Sequence, residues 1–161
     1  MRIIFFGTPE FAIPILEKLH KKHEVLLVVT QPDKKVGRRQ VITAPIVKKR
    51  AQELMIKVFQ PLNIKEEYQK IIKLQPDLIV TAAYGQILPK ELLNQVKALN
   101  VHGSLLPKYR GGAPIQKAII NGDSHTGITI MEMAYKMDSG DILKQAPIEI
   151  KNDDTKTTLT E

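Results

Sequence analysis

The chain has 161 residues, of which 43% are hydrophobic and 25% charged, and its formal net charge is +7. Such a composition fits one soluble globular domain and excludes disordered and fibrous classes. There is no cysteine, which excludes a disulfide framework, a thiolate nucleophile and any Cys-ligated zinc or iron–sulfur centre, and fits a reducing cytosol.

His20, His23, His102 and His125 are too scattered to suggest a metal cluster. The apolar N-terminus is interrupted by Gly7, Pro9 and Glu10, so it is no signal peptide. No apolar run approaches the ~18 residues of a membrane span. A soluble, intracellular protein is expected. The charge is unevenly placed: Asp33–Arg50 holds seven basic residues and one acidic one, leaving the rest almost neutral. A single basic segment invites a local polyanion contact.

Taken in chain order, Arg2–Phe6 reads as a buried strand stopped by Gly7-Thr8-Pro9. Glu10–Lys22 is a helix with Phe11, Ile15, Leu16 and Leu19 on one face. A second strand over Glu24–Thr30 and a second helix over Ala44–Met55 enclose a basic loop, Gln31–Thr43. Val58–Phe59 is a brief strand, Lys65–Leu74 a helix, and Asp77–Ala82 a fourth strand. Continuous apolar strands separated by helices predict an α/β Rossmann-like fold, a mostly parallel sheet with helices on both faces. The second half is less regular. Leu99–His102 is a strand, Ser104–Gly112 an irregular loop, Ala113–Ile120 a helix, and Gly127–Glu132 and Ile142–Ile150 strands. Thr155–Glu161 reads as the opening of a helix that is cut short.

Several features could carry chemistry, and each has a plain structural alternative. The Gly7-Thr8-Pro9 turn is either a simple strand-to-helix turn or an anion- or carbonyl-binding one. No dinucleotide-binding or P-loop glycine pattern is present. Asn100 and His102, two apart on a strand, share a face at its C-terminal end. They offer a neutral donor for an oxyanion and a group that exchanges a proton near neutrality, or they are polar strand-end residues. Ser104–Pro107 either shapes a surface loop or presents exposed main-chain groups and two leucines to a flat heteroaromatic ligand. Asp138 is either a turn residue or the carboxylate that keeps His102 charged.

The stretches Ile3–Ala12, Thr30–Lys48, Thr81–Pro89, Asn100–Asp123 and Thr126–Leu143 together resemble the N-terminal catalytic domain of the bacterial methionyl-tRNA formyltransferases, in that family's order. The resemblance implies a formyltransferase domain over residues 1–161. It would be incomplete at its C-terminal end and lack the family's small C-terminal β-barrel. It implies transfer of the formyl group of 10-formyltetrahydrofolate to the amino group of initiator methionyl-tRNA, in the bacterial cytoplasm.

The family's catalytic residues fall on Asn100, His102 and Asp138, and its folate contact on Ser104, Leu105, Leu106 and Pro107. By looser analogy Gln86, Ile87 and Leu88 line a pterin pocket, and Phe11 packs against the methionine side chain. The basic segment, with Arg38, Arg39, Lys34 and Lys35, becomes a tRNA-reaching insertion. No metal, membrane or protein partner is implied, and a monomer is expected. Two alternatives stand beside it: a folate-dependent formyltransferase with a ribonucleotide or amino-sugar acceptor, and a non-catalytic folate- or tRNA-binding fragment.

Overall fold

Ile3, Ile4, Phe5 and Phe6 leave the first strand no polar face, and such a strand has to be covered on both sides. In the computed structural model, which describes residues Met1–Glu161, these four side chains on β1 (Arg2–Gly7) are at most 1% exposed. Burial of each contributes roughly 1.5–3 kcal/mol. The chain divides into two units, Met1–Ala98 and Leu99–Glu161.

In the first unit, a 3-10 turn at Glu10–Ala12 leads from β1 into α1 (Ile13–Lys22). Pro14 lies in the first turn of α1, where an amide hydrogen has no helical partner anyway. There follow β2 (Glu24–Val29), β3 (Lys34–Val36), β4 (Val41–Thr43), α2 (Ile46–Glu53), β5 (Val58–Phe59), α3 (Ile64–Glu67), α4 (Gln69–Ile72), β6 (Leu78–Ala82) and α5 (Lys90–Leu93). The strands β5-β2-β1-β6 run parallel. Leu16, Val47, Ala51, Ile64, Ile71 and Leu92 are the fully buried residues of the helices. The fold is Rossmann-like α/β, and no helix is long and apolar enough to cross a membrane.

Two stretches differ from the sequence expectation. The basic segment is not a loop throughout: β3 and β4 form an antiparallel hairpin, Lys34 opposite Thr43 and Val36 opposite Val41. Its turn runs over Gly37–Gln40, with Gly37 at φ 72. Both the main-chain and side-chain nitrogens of Gln40 donate to the Gly37 carbonyl. The Lys65–Leu74 helix is broken at Tyr68 into α3 and α4, and α5 was not anticipated.

From the last residue of the first unit onward, β7 (Ala98–His102), α6 (Pro114–Ile120), β8 (His125–Glu132), β9 (Ile142–Glu149) and α7 (Lys156–Thr160) follow in order. β8 is antiparallel to both β7 and β9. All eight residues of β9 are exposed. Thr155 caps α7 through a reciprocal bond with Thr158.

The exit from β1 depends on a missing side chain. A Cβ on Gly7 would lie 2.7 Å from Ala12 Cβ, 2.9 Å from Phe5 Cε1 and 3.1 Å from the Ala82 carbonyl oxygen. Gly7→Ala is therefore expected to cost about 1–3 kcal/mol by overpacking. Chemical denaturation checks this, and an unchanged midpoint would refute the tight approach.

Candidate active site

Asn100 and His102 stand on the same side of β7, opposite Met131 and Thr129 of β8. Asp138 comes from the β8–β9 connection and meets them both. Asn100 Nδ2 donates to Asp138 Oδ1 at 3.4 Å, and Asp138 Oδ2 lies 3.8 Å from His102 Nδ1. The other ring nitrogen, Nε2, donates to the Tyr109 carbonyl at 2.8 Å. The His102 and Asp138 side chains are only 8% and 9% exposed. Each nitrogen of the imidazole thus faces an oxygen of the same unit.

Local backbone geometry brings Asp138 there. Its φ is +49, a left-handed conformation that aspartate tolerates better than most residues. The Gly111 amide donates to Asp138 Oδ2 at 2.8 Å, tying this turn to the loop after β7. Two residues on, a Cβ at Gly140 would fall inside the Glu132 carbonyl, so only glycine lets the connection fold back onto the end of β8.

The Ser104–Pro107 loop differs from its expectation. Its main-chain groups are largely spent inside the unit. Thr129 Oγ1 donates to the Ser104 carbonyl at 2.7 Å and accepts from Leu106 N–H at 3.1 Å. Gln145 Nε2 donates to the Leu106 carbonyl and to Thr129 Oγ1, each at 2.9 Å. Ser104 Oγ donates to the Lys108 carbonyl at 2.6 Å. Ser104 and Leu106 are accordingly buried, while Leu105 and Pro107 remain accessible. These two form apolar walls of a cleft of about 380 Å³, with Lys108, Tyr109 and Asp123–Thr126.

The remaining expected residues lie in the first unit. Gln86 has its side chain fully engaged: Oε1 accepts from Ile64 N–H at 2.9 Å, and Nε2 donates to the Pro61 carbonyl at 3.2 Å. Leu88 is 1% exposed and belongs to the core, whereas Ile87 is 53% exposed. Phe11 is half-buried in the 3-10 turn. Lys34, Lys35, Arg38 and Arg39 are all exposed on the hairpin. At the hairpin's base, hydrogen bonds from Gln60 and then Lys48 hold the Asp33 carboxyl below its ordinary range. Burial, and secondarily the Glu67 carboxylate, pushes the Tyr84 phenol up. No group of three or more His, Cys, Asp or Glu residues is placed to hold a metal ion.

Sequence reasoning missed Tyr109, Gly111 and Thr129. Tyr109 and Gly111 act through main-chain atoms, which leave no side-chain signature. Thr129 had one available signal: a hydroxyl on the buried face of an otherwise apolar strand requires a partner.

An Asn–His–Asp cluster at the end of a strand, in a chain without a nucleotide-binding glycine pattern, offers a neutral donor, an imidazole and a carboxylate in one place. The formyl transferase family profile matches residues 1–161. The methionyl-tRNA formyltransferase of Lactiplantibacillus plantarum is 63% identical over 161 residues, covering 96% of this chain and 51% of that protein. That of Latilactobacillus sakei is 60% identical over 159 residues, covering 95% and 50%. Among solved structures, phosphoribosylglycinamide formyltransferase from Bacillus halodurans superposes with a TM-score of 0.77 at 26% identity, over 99% of this chain and 86% of that one. The chain belongs to the formyl transferase family. It spans about half the length of the curated relatives it matches.

Thr129 Oγ1 uses its one hydrogen and both lone pairs on the Ser104–Pro107 loop and Gln145. Thr129→Val is isosteric but leaves the Ser104 carbonyl and Leu106 N–H unpaired in a buried place. A loss of about 1–3 kcal/mol is expected. Denaturant unfolding measures it, and a neutral effect would show that the loop does not hang on this hydroxyl.

Proposed function

We propose that the chain transfers the formyl group of 10-formyltetrahydrofolate to the amino group of methionyl-tRNA, as a cytoplasmic monomer and without a metal. The single observation that carries this is the Asn100–His102–Asp138 cluster in a chain 63% identical to a named methionyl-tRNA formyltransferase. The basic hairpin supports the tRNA half of the proposal. Four exposed cations, Lys34 and Lys35 on β3 and Arg38 and Arg39 in the turn, make a polyanion contact that a small acceptor would not require.

The residues divide the work as follows. Asn100 Nδ2 and the His102 Nε2–H, the latter exchanged from the Tyr109 carbonyl, stabilise the oxyanion that forms when the amine adds to the formyl carbon. Asp138 orients both. A proton from the attacking nitrogen is relayed through this group and water towards the departing folate nitrogen. An oxyanion donor in a nearly buried site lowers the barrier by ~3 kcal/mol. Leu105 and Pro107 supply apolar contact suited to the flat ring systems of folate. Gln86 contributes main chain only, its side chain being committed elsewhere.

The TM-score of 0.77 with a phosphoribosylglycinamide formyltransferase keeps a ribonucleotide acceptor as the second reading. Formylation rates on methionyl-tRNA, a glycinamide ribonucleotide and an amino sugar separate the two. Folate binding without transfer to any acceptor would leave a binding fragment instead.

His102→Ala and Asn100→Ala are each expected to reduce turnover by at least ~100-fold with the fold retained by circular dichroism. Near-normal turnover in both would sink the assignment. Neutralising Arg38 and Arg39 together is expected to raise KM for tRNA, to flatten its salt dependence, and to leave folate affinity unchanged. An unaltered salt slope would remove the hairpin from the tRNA contact.

A further inference from the structure

Three loops leave the C-terminal ends of adjacent parallel strands: Thr8–Pro9 after β1, Thr30–Asp33 after β2 and Ala83–Leu88 after β6. They converge on one side chain. Gln31 Nε2 donates to the Tyr84 carbonyl at 3.2 Å, an oxygen that also accepts Thr8 Oγ1 at 2.7 Å. Gln31 Oε1 accepts from Gln86 Nε2 at 3.4 Å, and Gln31 N–H donates to Thr8 Oγ1 at 3.4 Å.

On its other side, the Gln31 carbonyl accepts from Gln60 Nε2 at 3.0 Å. The same nitrogen reaches Asp33 Oδ1 at 2.6 Å. Lys48 Nζ closes on both Asp33 oxygens at 3.0 and 2.9 Å. Asp33 is the residue before β3, so this second set is the root of the basic hairpin.

The bond lengths fall into two groups. The root is tight, at 2.6–3.0 Å. All three bonds from Gln31 to Thr8, Tyr84 and Gln86 are long, at 3.2–3.4 Å. Hydrogen bonds in an unliganded site are often long and tighten only in the complex. The Gln31–Pro32 stretch itself lies in no strand or helix, so these bonds are what locate it.

We propose that Gln31 is a positioning residue through which folate binding at Tyr84–Leu88 and RNA binding at the hairpin strengthen one another. The inference rests on the functional proposal above for the two ligands, and adds that their affinities are linked. A ring laid on the Tyr84–Gln86 main chain fixes the Tyr84 carbonyl and the Gln86 amide. Gln31 then closes onto them, and through Gln60 and Asp33 the hairpin root loses its remaining freedom. The second ligand meets an already ordered partner and forfeits less conformational entropy on binding. Reciprocity requires the RNA to favour folate by the same factor.

Calorimetric titration tests this on the chain itself, with tetrahydrofolate and an uncharged acceptor-stem RNA hairpin as probes. In the wild type, saturating RNA is expected to tighten tetrahydrofolate binding by about 5-fold or more, and the converse titration to give the same factor. Gln31→Leu is expected to bring both factors close to 1 while each separate affinity and the melting temperature change little. Gln60→Leu severs the root from Gln31 and is expected to abolish the linkage with the Tyr84 side intact, which covers the case in which the first variant fails to fold. Independent binding in the wild type overturns the inference and leaves the functional proposal standing, as does linkage that survives in both variants. Wild-type protein that binds neither probe overturns the functional proposal, and the linkage with it.

Discussion

Four consecutive apolar residues on β1 must be covered from both faces and from both edges, and parallel neighbours β2 and β6 answer that requirement. Once those strands are parallel, their C-terminal ends point the same way and their following loops gather in one place. Gly7, Thr8, Gln31, Tyr84 and Gln86 are close because of that arrangement, not because of any attraction among them. The hydrogen bonds they form are then obligatory, since main-chain groups at a strand end need partners. The hydrophobic demand of one strand thereby places a polar hub beside the hairpin root.

The second unit solves a different problem. Its strands are antiparallel, so the β8–β9 connection can return a carboxylate to the end of β7. Asp138 arrives in a left-handed conformation that costs backbone energy, offset by Gly111 and Asn100. A left-handed conformation of this kind persists where surrounding bonds over-determine it. Thr129 performs the matching task on the Ser104–Pro107 loop, drawing its polar groups inward so that the loop itself turns Leu105 and Pro107 to the cleft.

The strands of the first unit were legible because each is a continuous apolar run bounded by glycine, proline or charge. The shared face of Asn100 and His102 was legible from a two-residue interval on one strand. Asp138 was legible only as one of two readings and through the resemblance: its approach depends on how β8 and β9 pair, and periodicity says nothing about what a loop reaches across space. The hairpin was hidden by charge, since Lys34, Lys35, Arg38 and Arg39 read as solvated loop. Val36 and the run Val41–Thr43 around Gly37 held the better signal, β-branched residues on either side of a four-residue turn. The engagement of Gln86 could not be read at all, because its partners are main-chain atoms of Pro61 and Ile64.

The exposed strand β9 carries Pro147 near its middle. Ile150 N–H donates to the Ser124 carbonyl, and the register runs Thr126–Ile148, Gly127–Pro147, Ile128–Ala146. Bonded and non-bonded pairs alternate along an antiparallel ladder, so Pro147 falls at a non-bonded pair and turns its ring nitrogen away from β8. The proline costs the β8–β9 ladder nothing, and it deletes a donor from the opposite, unpaired rim. A foreign strand laid along that rim would find an interrupted row of amides and the Lys144 side chain close by, which is how natural sheets discourage fibre-like growth.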